Sequence, residues 1–339
     1  MDQKFNKFKF YYFLYVTLIF IFAVFYLYQK HLVGNDSTIS EWLINYQGGF
    51  TRRGLIGEIC FQIADFFNLN LRFTIFIFQV IMYLVYSTLI YIFIKDLPKN
   101  LLSIIAIFSP IFLLYPINEI EVLARKEIFI FIGFIIFLIL SNPKFSKNTP
   151  LIYIFFTFPI LILIWEPVIF FYFFPAYIIV INNIEDSIKK VFLKIILTFS
   201  SSVLAFFLII FNLLSPEEHL LMKEALMNNF AEHCSQSCGL LGTKSSIADQ
   251  FNAVTAIFSF KILFRYLLII LIGFAPLIIL FFRSKLKNDI RLLDSKNLLL
   301  TLIILLAPVL ILFASATDWG RWVNISYTFS ILLYFYLLK

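Results

Sequence analysis

Residues 11–29 read YYFLYVTLIFIFAVFYLYQ, a run of 19 residues with no charged side chain. Lys4, Lys7 and Lys9 stand directly before it. A run of this length at 1.5 Å per residue matches the hydrocarbon thickness of a bilayer, which needs about 20 apolar residues. No small-residue cleavage site follows it, so the sequence predicts a retained membrane helix rather than a cleaved signal peptide. Further apolar runs fall near 71–94, 100–117, 128–141, 151–165, 168–182, 192–214, 262–282, 297–315 and 323–338. The expected architecture is an all-α, polytopic integral membrane helical bundle of about ten transmembrane helices. It forms a single membrane domain over 1–339.

Composition agrees with the pattern. Hydrophobic residues make up 61% of the 339 positions, charged residues 14%, and phenylalanine alone 45 residues. A soluble domain carries about 25% charged residues, so the solvent for most of this chain is lipid. No polar stretch is long enough for a soluble catalytic domain. The net charge of +7 does not trace a nucleic-acid stripe, and no nucleic acid is expected as a partner. Instead the basic residues cluster between apolar runs: Lys95 and Lys99, Lys144 and Lys147, Lys189 and Lys190, then Arg283, Lys285, Lys287 and Arg291. With ten spans these clusters all fall on the side of the N-terminus. The positive-inside rule then puts both termini in the cytoplasm. Two long segments, about 30–70 and 215–261, lie outside. The inner loops are short, so chemistry is expected at the outer boundary. The Phe, Ile and Tyr bias points to an AT-rich bacterial genome and a bacterial inner membrane.

The most informative polar stretch is Gln47-Gly48-Gly49-Phe50-Thr51-Arg52-Arg53-Gly54-Leu55-Ile56-Gly57-Glu58. The glycines allow a tight turn or the close approach of a ligand. Arg52 and Arg53 offer planar forks of donors suited to phosphate or carboxylate. They also suit plain snorkelling to anionic headgroups. Asp36 and Glu41 precede them. Either is a candidate general base or metal-holding acid, and Asp36 equally suits a helix start. In Asn118–Glu127, Glu121 and Arg125 are spaced to share a helical face, and Arg125 and Lys126 form a basic pair on the outer side. They offer a second phosphate contact or a structural salt-bridge network. Glu166 stands alone in apolar sequence. It is expected either to pair with an outer arginine or to act as an acid or base with raised pKa. Asp318 and Arg321 are spaced to bridge each other, and with Trp319 and Trp322 they form either an interfacial belt or a sugar platform. Cys234 and Cys238, on the oxidising side, are expected to form a small disulfide; a zinc site with His233 is the minor alternative. Cys60 is expected to be inert.

These segments, taken together, resemble bacterial multi-spanning proteins of surface-polysaccharide synthesis. The resemblance rests on Gly48–Gly57, on Arg125-Lys126-Glu127 and on Asp318-Trp319-Gly320-Arg321-Trp322. One similar group is the GT-C-type glycosyltransferases, which use polyprenyl-phosphate sugars and an acid in the first outer loop. That acid corresponds here to Asp36 or Glu41. The paired acid found in many members of that group is absent. The other group is the O-antigen polymerase class, whose outer-loop arginines handle lipid pyrophosphates; here these are Arg52, Arg53, Arg125 and Arg321. The resemblance implies a membrane glycosyltransferase with polyprenyl-phosphate-linked sugar or glycan and membrane lipids as partners, and a divalent cation as a candidate cofactor. A polymerase using the same arginines, a transporter and a scaffold without chemistry are the alternatives.

Overall fold

The computed structural model describes residues 2–33, 37–97, 100–234, 236–242, 247–283 and 295–338, and among them every regular element is helical. This follows from the solvent. In hydrocarbon each unpaired peptide group costs several kcal/mol, and a helix pairs all of them within one segment.

The chain opens with α1 (Asp2–Leu32), followed by α2 (Ser37–Trp42) and α3 (Gly54–Phe66). Helix α4 (Leu71–Ile94) starts at Asn70, whose side chain caps the Phe73 N–H at 2.9 Å. Next come α5 (Leu101–Ile107), a wide turn at Pro110–Leu114, and two single-turn helices, α6 (Tyr115–Asn118) and α7 (Ile120–Leu123). Then α8 (Ile128–Leu140), α9 (Thr149–Ile164), a 3-10 turn at Glu166–Phe171, α10 (Phe173–Asn182) and α11 (Ile188–Phe211) follow. Outside the bundle again lie α12 (Pro216–Phe230), α13 (Gln236–Gly242) and α14 (Ile247–Ile257). The chain finishes with α15 (Phe260–Arg283), α16 (Ser295–Leu306), α17 (Leu310–Ser315) and α18 (Trp319–Leu338).

Among the described residues, six helical segments are long and apolar enough to cross a membrane: Phe8–Leu32, Leu71–Ile94, Leu101–Asn118, Ile188–Phe211, Phe260–Phe282 and Leu298–Ser315. Four of the ten expected runs behave differently. Ile128–Leu140, Thr149–Ile164 and Glu166–Asn182 are apolar but shorter than a span. The fourth is α18, which carries Arg321, Asn324 and several hydroxyl side chains and is buried from Arg321 to Phe335. It is the central post of the bundle, and its polar groups face protein.

The outer faces are what lipid requires. Phe13, Ile21 and Phe25 on α1, Phe192, Leu197 and Leu204 on α11, and Phe264 and Leu271 on α15 are all exposed. Exposed apolar surface on this scale is unstable in water. Inside, one cluster of buried apolar side chains runs from Tyr12 to Phe335.

The antiparallel threading sorts polar groups to two ends. At one end Lys9 pairs with Asp96 at 2.8 Å, Lys194 with Asp186 at 2.6 Å, and Asn182 donates to the Tyr336 hydroxyl at 2.9 Å. At the other end Lys30 pairs with Glu121 and Arg72 with Glu232, the latter at 2.6 Å. The second end also carries the cap of α2, α3 and α12. Gly48 sits so close to α12 that a Cβ there would collide with the Glu218 carbonyl. The glycines around the arginine pair therefore permit close approach of backbone to backbone.

Candidate functional site

The site grows from three breaks in helical structure at the capped end. The first is the turn before α3. Glu58 reaches back from α3 to accept from the Tyr46 N–H at 2.8 Å and the Gln47 side chain at 2.7 Å. Arg53 then enters α3 in the left-handed region, φ 60° and ψ 6°. That conformation costs a non-glycine residue about 1–2 kcal/mol. Lys126 Nζ donates to the Arg53 carbonyl at 2.6 Å and fixes it there.

The second break is Ala124–Glu127. Glu121 and Arg125 do not share a helical face as expected, because helix α7 ends at Leu123. Buried side chains take over the freed carbonyls: Tyr83 donates to Leu123 O at 2.7 Å, and Trp42 and Gln79 donate to Ala124 O at 2.7 and 3.0 Å. Once those acceptors are satisfied elsewhere the helix has no need to continue. Glu121 turns to Lys30, and Arg125 turns to Glu41 and Asp318.

The third break is Trp165-Glu166-Pro167. Trp165 is extended, φ −159° and ψ 96°, and Pro167 lies in the first turn of the 3-10 segment. This presents Glu166 to Arg53, whose Nε lies 2.7 Å from Oε2 and whose Nη2 lies 2.7 Å from Oε1.

These residues form one network. Glu41, wholly buried on α2, accepts from Arg53 Nη1 at 3.1 Å and from Arg125 Nη1 at 3.4 Å. Arg125 Nη2 lies 3.6 Å from Asp318, which accepts from Arg321 Nη1 at 3.1 Å. Arg321 also pairs with Glu127. Arg52 Nη1 lies 4.0 Å from Glu166 and is the most exposed of the arginines, at 31% of its side chain. Among the described residues, Arg52, Arg53, Arg125, Lys126 and Arg321 thus gather around Glu41, Glu127, Glu166 and Asp318.

Two tryptophans complete the wall. The Arg321 guanidinium lies 4.7 Å from the Trp322 ring and 5.5 Å from the Trp165 ring, within cation–π range. Both indole N–H groups are buried and have no acceptor among the described residues.

Burial alone pushes the Glu41 carboxyl up, but Arg53, Arg125, Arg321 and Lys126 outweigh it and hold the pKa at about 2. Burial drives the Lys126 ammonium down to about 8 against the pull of Glu41. Burial raises Glu127 despite Arg321. Glu41 is thus a fixed anion that aligns two guanidiniums. Enclosed by Arg53 and Arg125, it is badly placed to receive a substrate proton. The accessible carboxylate of the network is Asp318, with 46% of its side chain exposed.

Most of the expected site residues meet here: Glu41, Arg52, Arg53, Arg125, Lys126, Glu166, Asp318, Arg321 and Trp322. Asp36 lies outside the described residues. The sequence reading left Glu127 without a role, although a lone acid opening an apolar run is the same signal that picked out Glu166. Trp322 is buried on Arg321 and Trp165, so it supplies no sugar platform; Trp319 is the more open ring. Cys234 and Cys238 are joined as a disulfide with Cα atoms 5.5 Å apart. They pack against α2 at Ser40, where Ser237 N donates to Ser40 Oγ at 3.1 Å. Cys60 is a buried free thiol. Among the described residues no three His, Cys, Asp or Glu side chains converge as a metal site.

Comparison with known proteins returns no matching family model, no matching curated protein and no matching solved structure.

Proposed function

We propose that this chain is a membrane glycosyltransferase that moves a sugar from a polyprenyl-phosphate carrier to a glycan or lipid acceptor. The observation that carries the reading is the convergence of four arginines and Lys126 in a buried, aromatic-walled network at one end of the bundle. A phosphate arriving in the bilayer meets Arg52, the guanidinium of the network with the most exposed side chain, as its first donor.

In this mechanism the acceptor hydroxyl attacks the anomeric carbon. The bond from that carbon to the phosphate oxygen breaks, and the polyprenyl phosphate leaves with one more negative charge. Arg52 and Arg53 stabilise that charge. The hydroxyl proton passes to a carboxylate open to the acceptor, Asp318 or the Asp36 of the resemblance. Glu41 and Glu166 are positioning residues that hold the guanidiniums. The proposal includes ten membrane crossings, with α8, α9, α10 and α18 completing the six long spans. It places both termini in the cytoplasm of a bacterium and the arginine network at the outer face of the inner membrane.

The test is transfer of labelled sugar from a panel of polyprenyl-phosphate donors by the purified, reconstituted protein. Arg52→Ala, which leaves Arg53 on Glu166, lowers turnover by about 100-fold if Arg52 stabilises the leaving phosphate. Equal turnover in Arg52→Ala, or no transfer from any donor, overturns the reading. A polymerase shares these residues, and the products separate the two. Loss of a transferase removes one sugar, whereas loss of a polymerase collapses a ladder to its single repeat.

A further inference from the structure

A cavity lies beside the arginine network, at the residues that flank Asp318. It holds about 160 Å³ between the α14–α15 junction and the start of α18. Phe258, Arg265, Tyr266, Thr317 and Trp319 line it, together with Ile257. The Trp319 ring stands 5.2 Å from Tyr266 at 71° and 6.3 Å from Phe258 at 61°, so three rings make a corner rather than a stack. Trp319 is fixed by its indole N–H, which donates to Phe313 O at 2.8 Å. Arg265 lies over the Tyr266 ring, its guanidinium carbon 5.2 Å from the centroid. Arg265 is exposed, and among the described residues no carboxylate pairs with it. Between Thr317 and Trp319 in sequence sits Asp318, the accessible carboxylate of the network.

We infer that this cavity is a binding subsite for an acidic sugar of the acceptor glycan, with the Trp319–Tyr266 corner taking the ring and Arg265 its carboxylate. An aromatic corner offers apolar faces to the C–H side of a pyranose while its polar edges stay wet. The unpaired guanidinium supplies a planar fork for a carboxylate. Thr317 adds a hydroxyl at the same wall. The neighbouring Asp318 puts a sugar bound here beside the most exposed carboxylate of the network. The inference rests on the glycosyltransferase reading for why a glycan comes to this face, but its binding step needs no turnover.

The experiment uses the full-length protein in neutral detergent, titrated with a β-1,4-linked glucuronic acid tetrasaccharide and with cellotetraose, followed by tryptophan fluorescence and by saturation-transfer NMR. The acidic tetrasaccharide binds more tightly than the neutral one. Arg265→Gln, an exposed substitution, weakens the acidic ligand about tenfold and leaves the neutral ligand unchanged. Trp319→Ala removes binding of both, and Trp319→Phe retains it. Three results overturn the inference: no binding of either ligand to the folded protein, binding indifferent to Arg265→Gln and Trp319→Ala alike, or an Arg265 effect seen only with phosphatidylglycerol vesicles. The last assigns Arg265 to lipid headgroups. The two readings fail separately. Oligosaccharide binding without sugar transfer sinks the transferase reading alone, and transfer with no effect of these variants sinks the subsite alone.

Discussion

Arg53 holds Glu166 across 113 positions of sequence with three hydrogen bonds, Nε to both carboxylate oxygens at 3.0 and 2.7 Å and Nη2 to Oε1 at 2.7 Å. It is the joint between the start of α3 and the broken turn that ends α9. Removing one partner strands the other in a poorly hydrated place, which costs about 3–5 kcal/mol. Removing both leaves a packing defect and takes from Glu41 one of its two guanidiniums, a smaller loss than an uncompensated buried charge. Arg53→Met and Glu166→Gln each therefore lower the unfolding midpoint in detergent sharply. Arg53→Met combined with Glu166→Leu is less destabilised than the two single losses added together. Additive midpoints in a double-mutant cycle would show that the pair contributes nothing as a pair.

Glu41 makes stability depend on acid. Its carboxyl is held near 2 in the folded protein, below its ordinary 4.5. A depressed acid stabilises the fold fully above its unfolded value and loses that contribution as pH falls through the folded one. The window is thus pH 4.5 down to about 2, and the contribution is about 3 kcal/mol. Other carboxylates titrate in the same window, so the quantity to measure is a difference. The wild-type protein loses more stability between pH 5 and 3 than Glu41→Gln does. Parallel curves would mean that Glu41 is not held by its arginines.

Lys126 acts in the opposite range. Its ammonium titrates near 8 in the folded protein, below the ordinary 10.5, because burial outweighs Glu41. Between those values the unfolded chain carries a proton that the folded chain has shed, so the fold gains stability as pH rises from 8. Lys126→Met removes this gain, and it also removes the donor that fixes the Arg53 carbonyl. Melting curves from pH 7.5 to 9.5 check both effects: a rising wild-type midpoint, and a variant that is flat and lower.

The sequence already showed that helices thread lipid, because apolar runs flanked by lysines have few other solutions. It also identified the lone polar residues of the site. Arg53, Glu166 and Arg321 stand out wherever charge is rare. Partnership was not legible, since Glu41 reaches Arg125 across 84 positions and Arg321 reaches Glu127 across 194. Local spacing favoured Glu121 with Arg125, and the structure breaks that helix because Tyr83, Trp42 and Gln79 arrive from elsewhere to bind its carbonyls. Six of the ten expected runs are long enough to span by themselves, and the others differ for a similar reason. Hydropathy treats α18 as one more run, while its buried polar groups bond to neighbours and to its own backbone: Asn324 donates to Phe112 O at 3.0 Å, Tyr327 to Ala106 O at 2.8 Å, and Thr328 to Asn324 O at 2.9 Å.

The disulfide gives a prediction that is independent of the arginines. Cys234 and Cys238 close a five-residue loop that docks on α2 through Ser237 and Ser40, one residue from Glu41. Chain-entropy arguments put the stabilisation from so short a loop at about 2 kcal/mol. Because α2 is six residues long and does not hold itself, loosening the bracket is felt by Glu41 before it is felt by the bundle. Thiol titration of the denatured protein yields one reactive group, Cys60, before reduction and three after. The paired Cys234→Ser and Cys238→Ser substitutions lower the midpoint modestly and shrink the acid-dependent difference between wild type and Glu41→Gln. An unchanged difference would show that α2 is held by its buried side chains alone, with the bracket serving only the outer loop.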